Sequence, residues 1–368
     1  MLNKDKLVSI LDDNLFNALG EAFLLIDKEY NVIYSNASFK SSVMKNGTGS
    51  KCYQLIGKDS PCQICTCSIS SKEQSVQEKE ERIDDNYYLV SSRIIPKKPP
   101  FSSFYIETYK DVTYSRNLEQ SLLAKNAILK GDLNIAKQIQ QSLLPRELSS
   151  ERVRLTYRYL PCEELGGDFF NLYQIDDDNY GIFIADISGH GASAAMLTMF
   201  LNSSYSKTVR SPAKILNRIF SDFNENNFIK NQYIAIFYAI VNIEERRLTY
   251  CNAGLNTYPI IYDNMAGSFR LVEAAGFPVS NWVDTPGYTD SETAIGPGEK
   301  ILFYTDGITD AKNKQGIPYG TDRLIRSLVE GNPNTKITLD RIISYLEDFI
   351  DGSIADLKDD VSLVILDI

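Results

Sequence analysis

Several aspartates of this chain stand where a hard cation could be held. The apolar run Tyr180-Gly-Ile-Phe-Ile-Ala ends on Asp186. That residue opens the turn Ile187-Ser188-Gly189-His190-Gly191, ahead of the helix-like Ala192-Ser-Ala-Ala-Met-Leu-Thr-Met-Phe. A carboxylate at a strand end, beside exposed backbone carbonyls, offers the oxygen ligands that Mg²⁺ or Mn²⁺ take. Phe303-Tyr304-Thr305-Asp306-Gly307 and Asp359-Asp360-Val361-Ser362-Leu363 repeat the layout, and Gly166-Gly167-Asp168 adds a further carboxylate. Each segment alone has a plainer reading, since Asp-Gly is an ordinary turn and paired aspartates before a strand an ordinary solvated cap. Together, each beside an expected strand end, they suggest a polynuclear metal centre.

The elements that must position these residues follow Pro145. Strands are expected over 153–160, 169–175, 180–186, 233–241, 247–253, 300–304 and 361–367, and helices over 192–209, 212–226, 320–329 and 337–350. Long strands with few, clustered helices favour a layered α+β domain over alternating βαβ units. Upstream, 114–144 lacks proline and places Leu118, Leu122, Leu129, Leu133, Ala136 and Leu143 on one helical stripe. Such a helix packs on its own domain or pairs with its twin in a dimer. Ile128, Ile135 and Ile139 widen the apolar surface and favour the dimer. Pro145 ends the helix.

Residues from about 15 to 113 open with a helical pattern. Ala22-Phe-Leu-Leu-Ile-Asp-Lys-Glu-Tyr-Asn-Val-Ile-Tyr-Ser-Asn then reads as a hairpin, with further strands in 87–95 and 103–113 and Pro96, Pro99 and Pro100 between them. The expectation is a small α+β module.

The chain has 368 residues, enough for two domains with cores of their own. Its formal charge of −10 works against nucleic-acid binding, which needs an electropositive face. No apolar stretch is long enough to span a membrane, and the first residues lack the apolar core of a signal peptide, so a cytoplasmic protein without nucleic-acid or membrane partners is expected.

The quoted motifs, with Ala194-Ala195-Met196 and Thr309-Asp310-Ala311, resemble those of metal-dependent protein phosphatases (the PPM class). The branch is the bacterial one of the stage II sporulation E phosphatase and the sigma-factor regulators, over about 220 residues in the right order. Gln138-Ile-Gln-Gln-Ser-Leu-Leu-Pro145 is similar to that family's lead-in. The resemblance implies an αββα sandwich over 148–368 that hydrolyses phosphoserine or phosphothreonine on a partner protein by attack of a metal-bridging water. It implies two Mn²⁺ or Mg²⁺ ions, with Asp186 bridging them, the Ile187 carbonyl on one, Asp306 and Asp359 on the other, and Asp168 holding the first. Asp186 and Asp168 are the catalytic candidates, and Asp359 is preferred to Asp360. The implied partner is a phosphorylated anti-sigma-factor antagonist. His190 is assigned to shaping the turn ahead of a role as general acid. Two departures, Asn252-Ala253-Gly254-Leu255 for a usual Asn-Ala-Gly-His and Gly276-Phe277-Pro278-Val279-Ser280 for Gly-x-Pro-Leu-Gly, bear on substrate fit. Two rival readings are a noncatalytic phosphoprotein-binding module and a small-molecule phosphomonoester hydrolase.

Residues 1–116 resemble a PAS sensor, in which strand, turn, strand and Asn-Ala-Ser-Phe open the domain and an Asp-Val-Thr element closes it. A helical, coiled-coil-like linker over 117–147 would join it to the phosphatase in a homodimer. Cys52, Cys62, Cys65 and Cys67 crowd into this module. They leave open a metal or Fe-S site, a thiol switch, or structural thiols. The module has no histidine, which excludes a His-ligated haem there but not a Cys-ligated one, and no light-sensing flavin motif.

Overall fold

The structure is a computed structural model that describes residues 20–44, 51–73, 75–95, 104–147, 152–189, 191–206, 208–226, 232–353 and 357–368. His190, the prolines at 96, 99 and 100, and the helical pattern expected before residue 20 lie outside them. The chain divides into two compact units, Met1–Ile128 and Leu129–Ile368.

The first unit contains β1 (Ala22–Ile26), β2 (Val32–Ser35), α1 (Ala37–Ser42), α2 (Cys52–Leu55), α3 (Thr66–Glu73), β3 (Gln77–Ile83), β4 (Asn86–Ile95) and β5 (Phe104–Asp111). The strands form one antiparallel sheet in the order β2-β1-β5-β4-β3. Asp27 Oδ1 accepts the N–H groups of Glu29 and Asn31 and folds the polar turn between β1 and β2. Asn36 explains its own motif. Its Oδ1 accepts from Phe23 N and Phe39 N, both at 3.0 Å, while its Nδ2 donates to Glu21 O at 2.8 Å. One side chain thereby caps α1 and ties it to β1. Phe39 then packs into the core with Leu24, Ile26, Val90, Tyr105 and Tyr109. At the far end Thr113 Oγ1 accepts from Tyr87 N and Asp111 Oδ1 accepts from Thr113 N, both at 2.8 Å, so the Asp-Val-Thr element fixes where the next helix starts.

That helix, α4 (Thr113–Leu143), runs across the division at Ile128, where 117–147 was the expected linker. Leu118, Leu122, Leu123, Ile128, Leu129, Ile135 and Ile139 are exposed along it. Gln140 is buried, and Leu143 and Leu144 pack against the core of the second unit.

The second unit runs β6 (Arg154–Leu160), β7 (Phe169–Gln174), β8 (Asn179–Ile187), α5 (Ala192–Ser204), α6 (Pro212–Glu225), β9 (Ile234–Asn242), β10 (Arg247–Ala253), β11 (Ile260–Asp263), β12 (Ser268–Leu271), β13 (Ser291–Ala294), β14 (Lys300–Tyr304), α7 (Asp306–Thr309), α8 (Gly320–Val329), α9 (Thr335–Ile350) and β15 (Val361–Asp367). Two antiparallel five-stranded sheets result, β13-β10-β9-β8-β7 and β12-β11-β14-β15-β6. Side chains alternate across each strand, and the cores record it. Phe170, Ile182, Ile184 and Phe237 of the first sheet meet Ile301, Phe303, Val364 and Leu366 of the second. On the other faces Phe169, Phe183, Ala185 and Ile187 pack with α5 and α6, while Leu302, Tyr304, Leu363 and Ile365 pack with α8 and α9. The layers are αββα. The expected helix over 192–209 ends at Ser204, and α9 begins at Thr335 under the Asn334 side chain, which accepts from Lys336 N and Ile337 N. The short strands β11, β12 and β13 carry too little periodic pattern to be read from sequence.

Candidate active site

The alternation that fills the space between the sheets also delivers the aspartates. Asp186 follows Ile182 and Ile184 on the face of β8 turned to the other sheet, and Asp168 precedes Phe170 on the same side of β7. From the second sheet, Thr305 follows Phe303, while Ser362 and Asp360 precede Val364. These residues meet. Thr305 Oγ1 donates to Asp168 Oδ2 at 2.6 Å, and Ser362 Oγ donates to the same oxygen at 2.7 Å. The fully buried Asp168 is thus held by both sheets.

Asp360 is buried as well, and its carboxylate is engaged by backbone. Oδ1 accepts from Cys162 N at 2.8 Å, and Oδ2 accepts from Gly167 N at 2.5 Å and Asp168 N at 3.2 Å. Asp359, one residue earlier and on the opposite parity, is exposed, and its Oδ1 accepts from Asp360 N at 2.9 Å. The two neighbours therefore differ in role, with Asp360 closing the loop before β7 through three backbone N–H groups and Asp359 lying exposed beside it.

Three glycines permit this closeness. A Cβ on Gly166 would collide with Tyr159 and the Asp360 carboxylate, and one on Gly167 would stand 2.8 Å from the Ile187 carbonyl oxygen. A Cβ on Gly307 would strike the Asp360 backbone. The Gly-Gly-Asp and Asp-Gly motifs are thus packing requirements of the place where the strands converge. The Ile187 carbonyl is within reach of the Gly167 backbone, beside Asp168.

Electrostatics make the cluster costly by itself. Burial, and then the charges of Asp306, Asp359 and Asp360, push the Asp186 carboxyl up to about 7. Burial followed by Asp186 and Asp360 raises Asp168 well above the usual carboxylate range against the opposing Thr305 and Ser362 hydrogen bonds. Asp359, whose carboxyl is partly desolvated by its neighbours although the residue is exposed, is raised by that desolvation first, then by Asp306, Asp360 and Asp310. Among the described residues no three His, Cys, Asp or Glu side chains already close on one point as ligands would. The donor chemistry nonetheless fits divalent cations. Every charged group here is a hard oxygen donor, and each raises another's pKa, a cost that a cation offsets. Asp168, Asp186, Asp306 and Asp359 act on one another directly or through Asp360, so all the carboxylates expected from sequence belong to one electrostatic cluster.

Sequence reading missed several participants. Thr305 and Ser362 lay inside quoted motifs, and strand parity would have found them. Asn256 Nδ2 donates to Asp306 Oδ2 at 2.9 Å, from the loop just after the departing Leu255. Leu255 itself is buried in the core between the sheets, and Asn252 pins its backbone through Nδ2 to Leu255 O and Oδ1 from Leu255 N, both 2.8 Å. The two departing segments pack together, because Gly254 has φ +80° and a Cβ there would meet Pro278 N at 2.5 Å. Gln140, in the lead-in, clasps Gly166, with Nε2 donating to its carbonyl at 2.7 Å and Oε1 accepting its N–H at 3.3 Å.

A four-layer αββα sandwich with aspartates between its sheets defines the PP2C class of fold. The SiaA-PP2C domain of Pseudomonas aeruginosa shares it at a TM-score of 0.58 and 20% identity, over 67% of this chain and 99% of that one. The chain belongs to the Stage II sporulation protein E (SpoIIE) family, which it matches over residues 176–368. It is 30% identical over 187 residues to the phosphoserine phosphatase RsbP of Bacillus subtilis (strain 168), covering 49% of this chain and 46% of RsbP. It is 24% identical over 273 residues to the phosphoserine phosphatase RsbU of the same strain, covering 72% of this chain and 78% of RsbU. The match covers 46% of RsbP and 44% of Protein IcfG of Synechocystis, so the chain spans less than half of either relative. No helix among the described residues is long and apolar enough to cross a membrane.

Proposed function

We propose that the second unit is a divalent-metal-dependent phosphatase that removes phosphate from serine or threonine of a partner protein in the cytoplasm. The observation that carries this reading is the cluster of Asp168, Asp186 and Asp359, each raised by burial and by its acidic neighbours, with Asp306 among those neighbours, at one end of a PP2C-type sandwich. Asp186 and Asp168, the Ile187 carbonyl, Asp306 and Asp359 would hold two Mn²⁺ or Mg²⁺ ions. When bound, such ions supply an activated water and offset the charge of the phosphate. The chain's own residues do the positioning. Thr305 and Ser362 fix the rotamer of Asp168, Asn256 orients Asp306, and Asp360 holds the Gly167 backbone against the Ile187 carbonyl. The named relatives support a phosphorylated anti-sigma-factor antagonist as substrate class. The reading further takes residues 1–116 as a PAS-like sensor and 117–147 as a linker pairing in a homodimer, supported by the exposed leucines and isoleucines of α4.

The test is manganese-dependent phosphate release from a phosphoserine antagonist protein and from p-nitrophenyl phosphate, wild type against Asp186→Asn. Turnover of the phosphoprotein that Asp186→Asn abolishes is expected. Phosphoprotein binding without turnover would point to a noncatalytic module, and preference for the small ester to a different substrate.

A further inference from the structure

Between β12 and β13 the chain runs through 272–290 with neither helix nor strand, apart from the single bridge of Val279 to Ile234. A connection this long without regular structure usually either lacks order or carries function. This one is pinned along its length. Val279 and Ile234 each donate an N–H to the other's carbonyl at 2.9 Å. Val272 N donates to Pro259 O at 2.8 Å, Tyr288 OH to Phe277 O at 2.9 Å and Asn224 Nδ2 to Ser280 O at 3.3 Å. Val279 and Tyr288 are buried in the core with α5 and α6, and Asp290 Oδ1 accepts from Ala213 N at 2.7 Å at the start of α6.

The anchored loop nonetheless leaves two aromatic side chains in solvent. Phe277 is 60% exposed, and Trp282, the chain's one tryptophan, is 56% exposed. Both adjoin residues that hold the aspartate cluster. Trp282 packs on Tyr233 with ring centroids 5.1 Å apart. Tyr233 continues the pairing of β9 with β8, since its carbonyl accepts from Ser188 N at 3.0 Å and its N–H donates to Ser188 Oγ at 2.8 Å, two residues beyond Asp186. Asp186 lies opposite Ala235, and strand alternation puts Tyr233 on the same face as Ala235. Phe277 sits between two residues that touch a second part of the site. A Cβ on Gly276 would overlap Asn252 O, and Pro278 packs on Gly254, in the turn that leads to Asn256 and its bond to Asp306.

Aromatic rings shown on a loop that is already fixed lose little conformational freedom when a partner covers them, which is the property of an interface hot spot. Charge narrows the partner. The segment 272–290 holds Glu273, Asp284 and Asp290 and no lysine, arginine or histidine, and Asp284 is exposed two positions after Trp282.

We propose that this loop is the docking surface for the substrate protein, with an apolar side chain next to the phosphorylated residue seated on Trp282 and Phe277 and a lysine or arginine nearby facing Asp284. Docking of this kind rests on the phosphatase reading and names the substrate feature that the aspartates alone do not select. A phosphate ester without flanking residues reaches the aspartates but not the loop. The rings add binding ahead of chemistry, so their loss raises KM for the protein substrate while leaving its kcat nearly constant. Gly276-Phe277-Pro278-Val279-Ser280, the segment that departs from the family pattern, then serves to choose the substrate.

The test uses the full chain with manganese and two phosphoserine peptides that differ only in the residue after the phosphoserine, leucine or aspartate, each with a lysine two positions further on. In wild type the leucine peptide should show a KM at least ~10-fold below that of the aspartate peptide at similar kcat. Trp282→Ala should raise the KM of the leucine peptide about 10-fold and shrink that preference, and Trp282→Phe, which keeps a ring, should restore most of it. Exchanging the lysine of the peptide for glutamate should raise KM too, and indifference to that exchange would overturn the charge match. Because Trp282 is the chain's one tryptophan, its emission reports on the loop directly, in wild type and without turnover. The leucine peptide made with a non-hydrolysable phosphonate in place of the phosphate should shift that emission, and the aspartate counterpart should not. Equal KM for the two peptides, an unchanged preference in Trp282→Ala, or an emission blind to the leucine phosphonate would each overturn the docking. Absence of turnover on both peptides and on p-nitrophenyl phosphate would instead overturn the phosphatase reading, and the emission titration would still decide the docking.

Discussion

Gln140 holds Gly166 by both of its backbone polar groups, and Gly166 lies two residues before Asp168. The amide comes from the last turns of α4, so any slip or rotation of that end of the helix breaks both bonds where the aspartate loop begins. Gln140→Ala is expected to leave two backbone groups unsatisfied at about 1–3 kcal/mol each. Weaker manganese dependence of turnover should accompany the loss, and Gln140→Glu, which can accept but not donate, should fall between. Thermal unfolding and a manganese titration check both.

Asp359 and Asp360 should separate cleanly. Removing the Asp360 carboxylate strands the N–H groups of Cys162, Gly167 and Asp168, so Asp360→Ala should cost about 3 kcal/mol or more and lower Tm with or without metal. Asp359→Asn should abolish metal-dependent turnover while leaving Tm in chelator unchanged or raised, because it removes a charge that opposes Asp186. Equal loss of stability in both would refute the division of roles.

The pH dependence follows from Asp186. Its folded pKa of about 7 exceeds the unfolded value of about 3.9, so its contribution to stability is fully present below the lower value and lost as pH rises through 7. Chelator-treated protein should therefore melt higher at pH 6 than at pH 8, by at most about 1.4 kcal/mol per pH unit from this group. Asp186→Asn should flatten that slope. Saturating manganese should reverse it, since protons then compete with the ion.

Gly307→Ala places a methyl group against the Asp360 backbone, where no flexible side chain can yield. A loss of about 1–3 kcal/mol is expected, together with weakened metal binding read by calorimetry. Retention of wild-type metal affinity would show that the close approach is dispensable.

Charged residues at Leu122 and Leu129, both exposed on α4, should convert a dimer to a monomer in light scattering without lowering the Tm of either unit. An unchanged mass would remove the dimer from the proposed function.

Much of the site was legible because strand alternation and motif order are both written in the residues. The run 180–185 is buried on both faces, and the parity that sends Ile182 and Ile184 between the sheets sends the half-buried Asp186 there too. What the sequence hid was partnership across distance. Thr305 and Ser362 meet Asp168 from 137 and 194 positions away, and no local pattern marks such a hydrogen bond. Leu255, read as bearing on substrate fit, proved to be core. In the first unit β3 was passed over because Gln77-Glu-Lys-Glu-Glu-Arg is nearly all polar, a poor strand by propensity that pairing with β4 holds in place.

The second sheet places β15 between β14 and β6, joining the last strand of the chain to the first strand of its unit, with Val361 opposite Leu160. During synthesis the first sheet has all its strands once residue 294 has emerged, whereas β6 finds its neighbour only after residues 361–367 have followed. Asp359 and Asp360 arrive with that strand. A chain cut short before residue 359 would thus leave β6 and β14 without the strand between them and lack two of the clustered carboxylates, so an open strand edge and an incomplete cluster would come together.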